Sequence, residues 1–171
     1  EIFPGTPFQP VINATMGNVR NLTLSAGATL DIMPSGSLSI YGDFVNNGAF
    51  VAPNGFVFFK GSTNQNIGQM TVGTVVMNNT GDGITLTGNM TVDQALVLTN
   101  GNITLGVNSL TINGSVNGAL NSHIVTNGAG SVTTRNVNVT PVTVPVGPSA
   151  TSFNPVIISS GSGRDYSVKV Q

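Results

Sequence analysis

The sequence contains no cysteine and no tryptophan, and it has few charged side chains. Of its 171 residues, 5 are Lys or Arg, 6 are Asp or Glu and 1 is His. Without cysteine, neither a disulfide scaffold nor a thiolate metal site can form. Five basic residues are too few for the cationic surface that dominates nucleic-acid affinity, so nucleic acid is not an expected partner.

Long apolar runs are absent as well. The longest are only a few residues, such as Gly55–Phe59, so we expect no insertion into a membrane. The first residues, Glu1–Gly5, have neither the basic start nor the apolar run of a signal peptide. We therefore expect a processed or excised fragment of a longer parent chain.

The residues that are abundant predict a folded, extracellular protein. Apolar residues make up 39% of the chain and the mean hydropathy is +0.23, whereas disordered chains combine low hydrophobicity with high net charge. Gly, Asn, Thr and Val take the place of the usual Lys and Glu. A charge-poor surface of this kind favours a secreted protein over a cytosolic one.

Apolar residues recur in pairs whose members are two positions apart, the period of a strand with one buried face. The pairs are Leu22/Leu24, Leu30/Ile32, Leu38/Ile40, Ile84/Leu86, Met90/Val92, Leu96/Leu98, Ile103/Leu105 and Leu110/Ile112. Turn-forming stretches separate the pairs, and no segment keeps a helical apolar spacing. The fold class is therefore predicted to be all-β.

The close spacing of the pairs favours a solenoid. A sandwich usually has strands every 8–12 residues, whereas three shorter sides would give coils of roughly twenty residues. We predict a right-handed parallel β-solenoid, or β-helix, of about five or six coils stacked at roughly 4.8 Å. Six Asn-Gly dipeptides suit solenoid corners, where Asn side chains can bond from coil to coil. They suit hairpin turns equally well, so the sandwich stays open as an alternative.

Three parts are predicted along the chain. Residues 1–18 contain three prolines and are interpreted as an irregular N-terminal lead-in or cap. Residues 19–131 form the solenoid. Residues 132–171, where prolines return and alternation extends over longer stretches, are interpreted as antiparallel strands that form a sandwich-like cap or begin a further domain.

Several stretches resemble the repeats of large secreted Bacteroidota surface proteins. They are Val19–Leu30, Leu38–Phe50, the strand with a following GS…Q.I.G unit in Gly55–Gly68, and the tail segments Val144–Gly147, Phe153–Val156 and Tyr166–Val168. The resemblance covers roughly residues 15–171. It implies a β-helical region of adhesin-like, type IX-secreted cell-surface proteins, with adjacent domains of a longer chain as partners and no catalytic motif.

Ionisable side chains are too scattered to predict an active site. The acids are Glu1, Asp31, Asp43, Asp82, Asp93 and Asp165. None has a metal-ligand spacing, and glycosidases or lyases need acids or bases gathered in one groove. His123 has neither a second His nor a thiol beside it. No catalytic residue, metal site or cofactor is predicted, and the chain is not expected to be an enzyme.

Aromatic residues are the better candidates for binding. Seven of the eight Phe residues precede residue 60, and together with Tyr41 they form either a platform for stacking sugar rings or a wider layer of the core. Because Phe59 differs in parity from Phe56 and Phe58, at least one of these rings should face outward. The predicted ligand-binding residues are Tyr41 and Phe59.

Three functional hypotheses follow. The first is a non-enzymatic structural or adhesive segment of a secreted cell-surface protein, acting as a stiff spacer rod. The second is a carbohydrate-binding module that uses outward aromatic rings to hold extracellular polysaccharide. The third is self-association into an extracellular fibre through unpaired edge strands.

Overall fold

The computed structural model describes residues 1–5 and 8–171, and within them the protein is all-β with no helix. The strands are β1 (Val11–Ile12), β2 (Met16–Val19), β3 (Leu22–Leu24), β4 (Thr29–Ile32), β5 (Ser37–Ile40), β6 (Phe44–Asn46), β7 (Ala49–Phe59), β8 (Gln65–Ile67), β9 (Met70–Leu86), β10 (Met90–Thr104), β11 (Leu110–Ile112), β12 (Ser115–Asn117), β13 (Ile124–Val125), β14 (Val132–Val137), β15 (Val142–Val144), β16 (Val146–Gly147), β17 (Val156–Ile158) and β18 (Arg164–Val168). Within those ranges there is accordingly no helix long and apolar enough to cross a membrane.

Parallel pairing winds these strands into a solenoid of about 7 turns, close to the predicted coil count. Each coil visits three sides. Side A contains β2, β5 and β12, side B contains β3, β6, β8, β13 and β16, and side C contains β1, β4, β11 and β14. The long strands β9 and β10 run through all three sides, and β7 covers sides C and A. The solenoid interpretation is confirmed over the sandwich.

Aliphatic side chains stack along the axis inside the coils. On side C, Met70 pairs with Met90, Met90 with Leu110, and Leu110 with Val132. All four side chains are buried. Since burying one such side chain contributes about 1.5–3 kcal/mol, the core is an array of similar small contributions repeated from coil to coil.

Asparagine side chains link neighbouring coils on the outside, as the corner hypothesis predicts. The Nδ2 of Asn100 donates to Oδ1 of Asn78 at 2.6 Å, and Nδ2 of Asn113 donates to Oδ1 of Asp93 at 2.6 Å. Gly101, which follows Asn100, has a φ of 81°, a left-handed angle that glycine adopts without steric cost. The Asn-Gly pair thus forms a solenoid corner here, not a hairpin.

The two ends of the solenoid differ. At the C-terminal end, β18 pairs antiparallel with β14 and β17 pairs antiparallel with β15, whereas β16 still continues the parallel ladder of side B. At the N-terminal end, β1 and β2 already pair in parallel with β4 and β5, so regular pairing starts ahead of residue 19. Residues 6 and 7 of the predicted lead-in lie outside the described residues.

Candidate functional site

A column of three outward side chains, Arg20, Tyr41 and Lys60, runs along the corner between sides A and B. The residues before them, Val19, Ile40 and Phe59, are paired in register on three successive coils. Hydrogen bonds continue that register into the corner. The N–H of Tyr41 donates to the carbonyl of Val19 at 3.0 Å, and the N–H of Lys60 donates to the carbonyl of Ile40 at 2.9 Å. With coils about 4.8 Å apart, Tyr41 thus lies between two basic residues in the stack of corner backbones.

This column borders an open groove of about 640 Å³, which we name the corner groove. Its walls are the corner segments of the first three coils, residues 18–21, 41–43 and 60–64. Apart from the column, its lining carries mainly amide, hydroxyl and carboxylate groups. These belong to Asn18, Asn21, Asp43, Ser62, Thr63 and Asn64.

The charges in the corner groove do not neutralise one another by ion pairing. Lys60 Nζ lies 4.9 Å from the centroid of the Phe58 ring, a cation–π contact and not an ion pair. Asp43 Oδ1 accepts a hydrogen bond from the N–H of Asn66 at 2.8 Å. Among the described residues the only ion pair joins Arg135 and Asp165. The groove therefore presents two cations and one carboxylate.

A buried amide pair supports the groove from behind. The Nε2 of Gln65 donates to the carbonyls of Ile40 at 3.1 Å and Gly42 at 2.6 Å, while its Oε1 accepts from the N–H of Gly61 at 3.0 Å. Nδ2 of Asn79 donates to Gln65 Oε1 at 2.9 Å. Both side chains are fully buried, and a satisfied buried network of this kind rigidifies the backbone that it joins.

Gly42 also fits the groove wall closely. A Cβ there would collide with Oδ1 of Asn21, the atom that accepts the hydrogen bond from the N–H of Asp43 at 2.9 Å. A side chain at this position would therefore displace the Asn21 amide from its hydrogen bond with Asp43.

The two predicted ligand-binding residues have different positions. Tyr41 is 45% exposed and borders the corner groove, whereas Phe59 is fully buried. Strand alternation places Phe59 and Val57 inward, so the Phe59 ring is inaccessible to a ligand and this part of the prediction is corrected. Phe56, 39% exposed, and the half-buried Phe58 face outward instead.

The cations beside Tyr41 were missed at the sequence level. Arg20 precedes Tyr41 by 21 residues and Lys60 follows it by 19, which is one coil in each direction. Counting roughly twenty residues, the predicted coil period, in each direction from Tyr41 would have identified both basic residues.

A second groove lies farther along the same corner, in the fourth to sixth coils, with Ala150 also in its lining. It measures about 360 Å³ and includes Asp82, Asn100 and Asn102 in its lining. Neither a cationic nor an aromatic side chain is among its lining residues. The two grooves thus differ in charge and in aromatic content.

His123 is not among the lining residues of either groove. It is fully buried, with Nδ1 3.0 Å from the carbonyl oxygen of Leu120 and Nε2 2.9 Å from that of Ser149. Its ring packs 5.5 Å from that of Phe153. In the part of the chain that the structure describes, no three His, Cys, Asp or Glu side chains gather as a metal site would need.

Comparisons with family models, with curated proteins and with solved structures gave no significant match.

Proposed function

We propose that the chain is a non-enzymatic structural or adhesive segment of a secreted cell-surface protein, and that it acts as a stiff spacer rod between adjacent domains of a longer chain. The observation that carries this proposal is the continuity of the parallel ladder from β1 to β16. The secreted, cell-surface setting rests on the charge-poor composition and on the resemblance to Bacteroidota surface repeats.

Stiffness follows from how each coil is held. Every interior coil is hydrogen-bonded to the coil before and the coil after it, and the buried cluster extends without interruption from Leu22 to Val168. Bending the axis would separate stacked side chains and backbone bonds on one side of several coils together. About 7 turns at about 4.8 Å each make a rod core of roughly 35 Å.

Distance measurement between two spin labels tests the rod directly. Because the chain has no cysteine, Ala26→Cys with Ala129→Cys places one label at each end, both at exposed positions. We expect one narrow distance distribution, since the coils between the labels move as a unit. The pair Ala26→Cys with Ala49→Cys, on neighbouring coils, supplies the reference width. A distribution much broader than this reference would contradict the spacer role.

Carbohydrate binding is the second candidate function. The exposed Tyr41 ring and the polar lining of the corner groove favour it, because aromatic side chains offer large, rigid, amphipathic contact surfaces. It is compatible with the spacer role, since the groove is on the outside of the coils. Its test is part of the inference that follows.

A further inference from the structure

We propose that the corner groove binds an anionic saccharide, with a sugar ring stacked on Tyr41 and carboxylate or sulfate groups paired with Arg20 and Lys60. The inference rests on the carbohydrate-binding candidate and adds the charge class of the ligand. The juxtaposition that carries it is the in-register column of cation, aromatic ring and cation on three consecutive coils.

The site suits a saccharide because it combines an exposed ring with many small polar groups. Tyr41 is the aromatic residue of the lining, and amide or hydroxyl side chains such as Asn18, Ser62 and Asn64 surround it. A pyranose presents an apolar C–H face for the ring and hydroxyl groups for the amides. Because the Gln65–Asn79 network is buried behind the wall, little ordering should be needed on binding.

The charge balance selects an anionic saccharide over a neutral one. Arg20 and Lys60 give two positive charges against the single carboxylate of Asp43, which already accepts a hydrogen bond from Asn66. The guanidinium fork matches a carboxylate or sulfate with two parallel hydrogen bonds, whereas Lys60 provides a point charge. A chain with a net charge of −1 thus concentrates two of its five basic residues beside one exposed ring.

The same observations disfavour other anions. Nucleic-acid binding needs many phosphate contacts along a strand, and the second groove on this corner carries Asp82 and no cation. A simple inorganic anion would not require the Tyr41 ring. The column therefore fits a short anionic stretch of a glycan.

Titration calorimetry with matched probes tests the inference. The probes are a tetrasaccharide of galacturonic acid, its methyl ester, which has the same rings without charge, and inorganic sulfate. We expect the acid to bind roughly five- to tenfold more tightly than the ester. Raising the ionic strength from about 0.01 M to about 1 M should weaken the acid's binding, since the screening length falls about tenfold.

Variants separate the ring from the charges. Tyr41→Ala should weaken binding of the acid at least about tenfold. Arg20→Gln and Lys60→Gln should each weaken it about two- to fivefold and should leave binding of the ester unchanged. The matched control is Lys169→Gln, which removes one positive charge from an exposed position after β18, and it should bind like the unaltered protein. Circular dichroism establishes that each variant is folded.

The outcomes distinguish this inference from the functions on which it builds. Equal affinity for acid and ester would overturn the anionic assignment and leave carbohydrate binding in place. No binding of either saccharide at millimolar concentration would overturn both. Sulfate that binds as tightly as the tetrasaccharide, or a loss with Lys169→Gln equal to that with Lys60→Gln, would also overturn the assignment. None of these results bears on the rod, which the spin-label distances test separately.

Discussion

Gln65 is the single residue on which the shape of the corner groove depends most. It occupies an inward position on side B, in register with Ile84 of the next coil. The later coils place Ile103, Ile124 and Val146 at the same register. The Gln65 amide bonds to the backbone of Ile40, Gly42 and Gly61. The amide of this polar core residue thus supplies hydrogen bonds to the corner backbone, beside the one that the Ile40 carbonyl accepts from the N–H of Lys60.

Replacing Gln65 by leucine should destabilise the protein although the volume is conserved. Gln65→Leu removes the bonds that Gln65 makes to the Gly42 carbonyl and the Gly61 N–H, whereas the Ile40 carbonyl keeps its bond from the N–H of Lys60. Each buried group left unsatisfied costs about 1–3 kcal/mol. We expect the free energy of unfolding to fall by at least about 2 kcal/mol in urea titrations. The control is Gln69→Leu, at an exposed position on the next corner, which should change it by less than about 0.5 kcal/mol. Equal effects would show that the network does not support the corner.

Strand parity explains how far the binding residues could be predicted. The sequence shows that Phe56 and Phe58 share a face and that Phe59 does not, but it does not show which face is inward. That choice depends on the neighbours in the ladder, Ile40 and Met77, which are both buried with Phe59. Tyr41 was identified as part of the aromatic-rich N-terminal third of the chain, together with the early Phe residues. Its cationic neighbours belong to other coils, and only the register of the coils reveals them.

Along side A, residues of the long strands alternate between core and surface. In β10, Leu96 and Leu98 are buried, and Val97 between them is half-buried and outward. The same alternation recurs on side A in the coil before, where Val75 and Met77 are buried. A substitution should therefore change stability according to its parity.

Leu98→Asp and Val97→Asp form a matched pair for this alternation. Leu98 is 7% exposed, so the aspartate would bring an unpaired charge into the core, which costs several kcal/mol. This approaches the whole stability of many domains, about 5–15 kcal/mol, and we expect several coils to unfold. Val97→Asp should leave most of the stability intact. Thermal melts by circular dichroism measure both, and an unchanged melting temperature for Leu98→Asp would refute its inward position.

The strands that were not predicted from the sequence lack the pairs of apolar residues two positions apart, and the structure shows why. In β2 the inward position is Gly17, in register with Leu38, and a Cβ on Gly17 would lie 2.8 Å from Cδ1 of Ile12. The Ile12 side chain fills the space that a side chain at position 17 would need, so the sequence of β2 does not contain an apolar pair. β9 and β10 were expected as short strands, yet their pairing continues around the corners with register shifts. Apolar pairs predict the sides of a coil, whereas corner pairing depends on neighbouring coils.

The whole molecule is a ladder with unlike ends. At the C-terminal end the antiparallel strand β18 covers the edge of β14, with Val168 opposite Val132 and Tyr166 opposite Thr134. Thr126 and Val170 exchange two hydrogen bonds, of 2.8 and 2.9 Å, beside it. The tail thus blocks the row of backbone groups on which another strand could pair.

Removing this cover should increase the tendency of the protein to self-associate. A chain ending at Gly163 lacks β18, so the backbone groups of β14 and the buried Val132 side chain become exposed. We expect sedimentation velocity to show assembly that increases with protein concentration, because uncovered edges pair with one another. The control is Asp165→Ala, which removes the exposed 3.7 Å ion pair with Arg135 and the exposed hydrogen bond from the N–H of Asn136. Such pairs contribute about 1 kcal/mol or less, so this variant should sediment like the unaltered chain.

A truncated protein that stays monomeric at every concentration would contradict this prediction. It would show that β18 stabilises the last coil without preventing edge pairing, and the fibre hypothesis would then need a different surface.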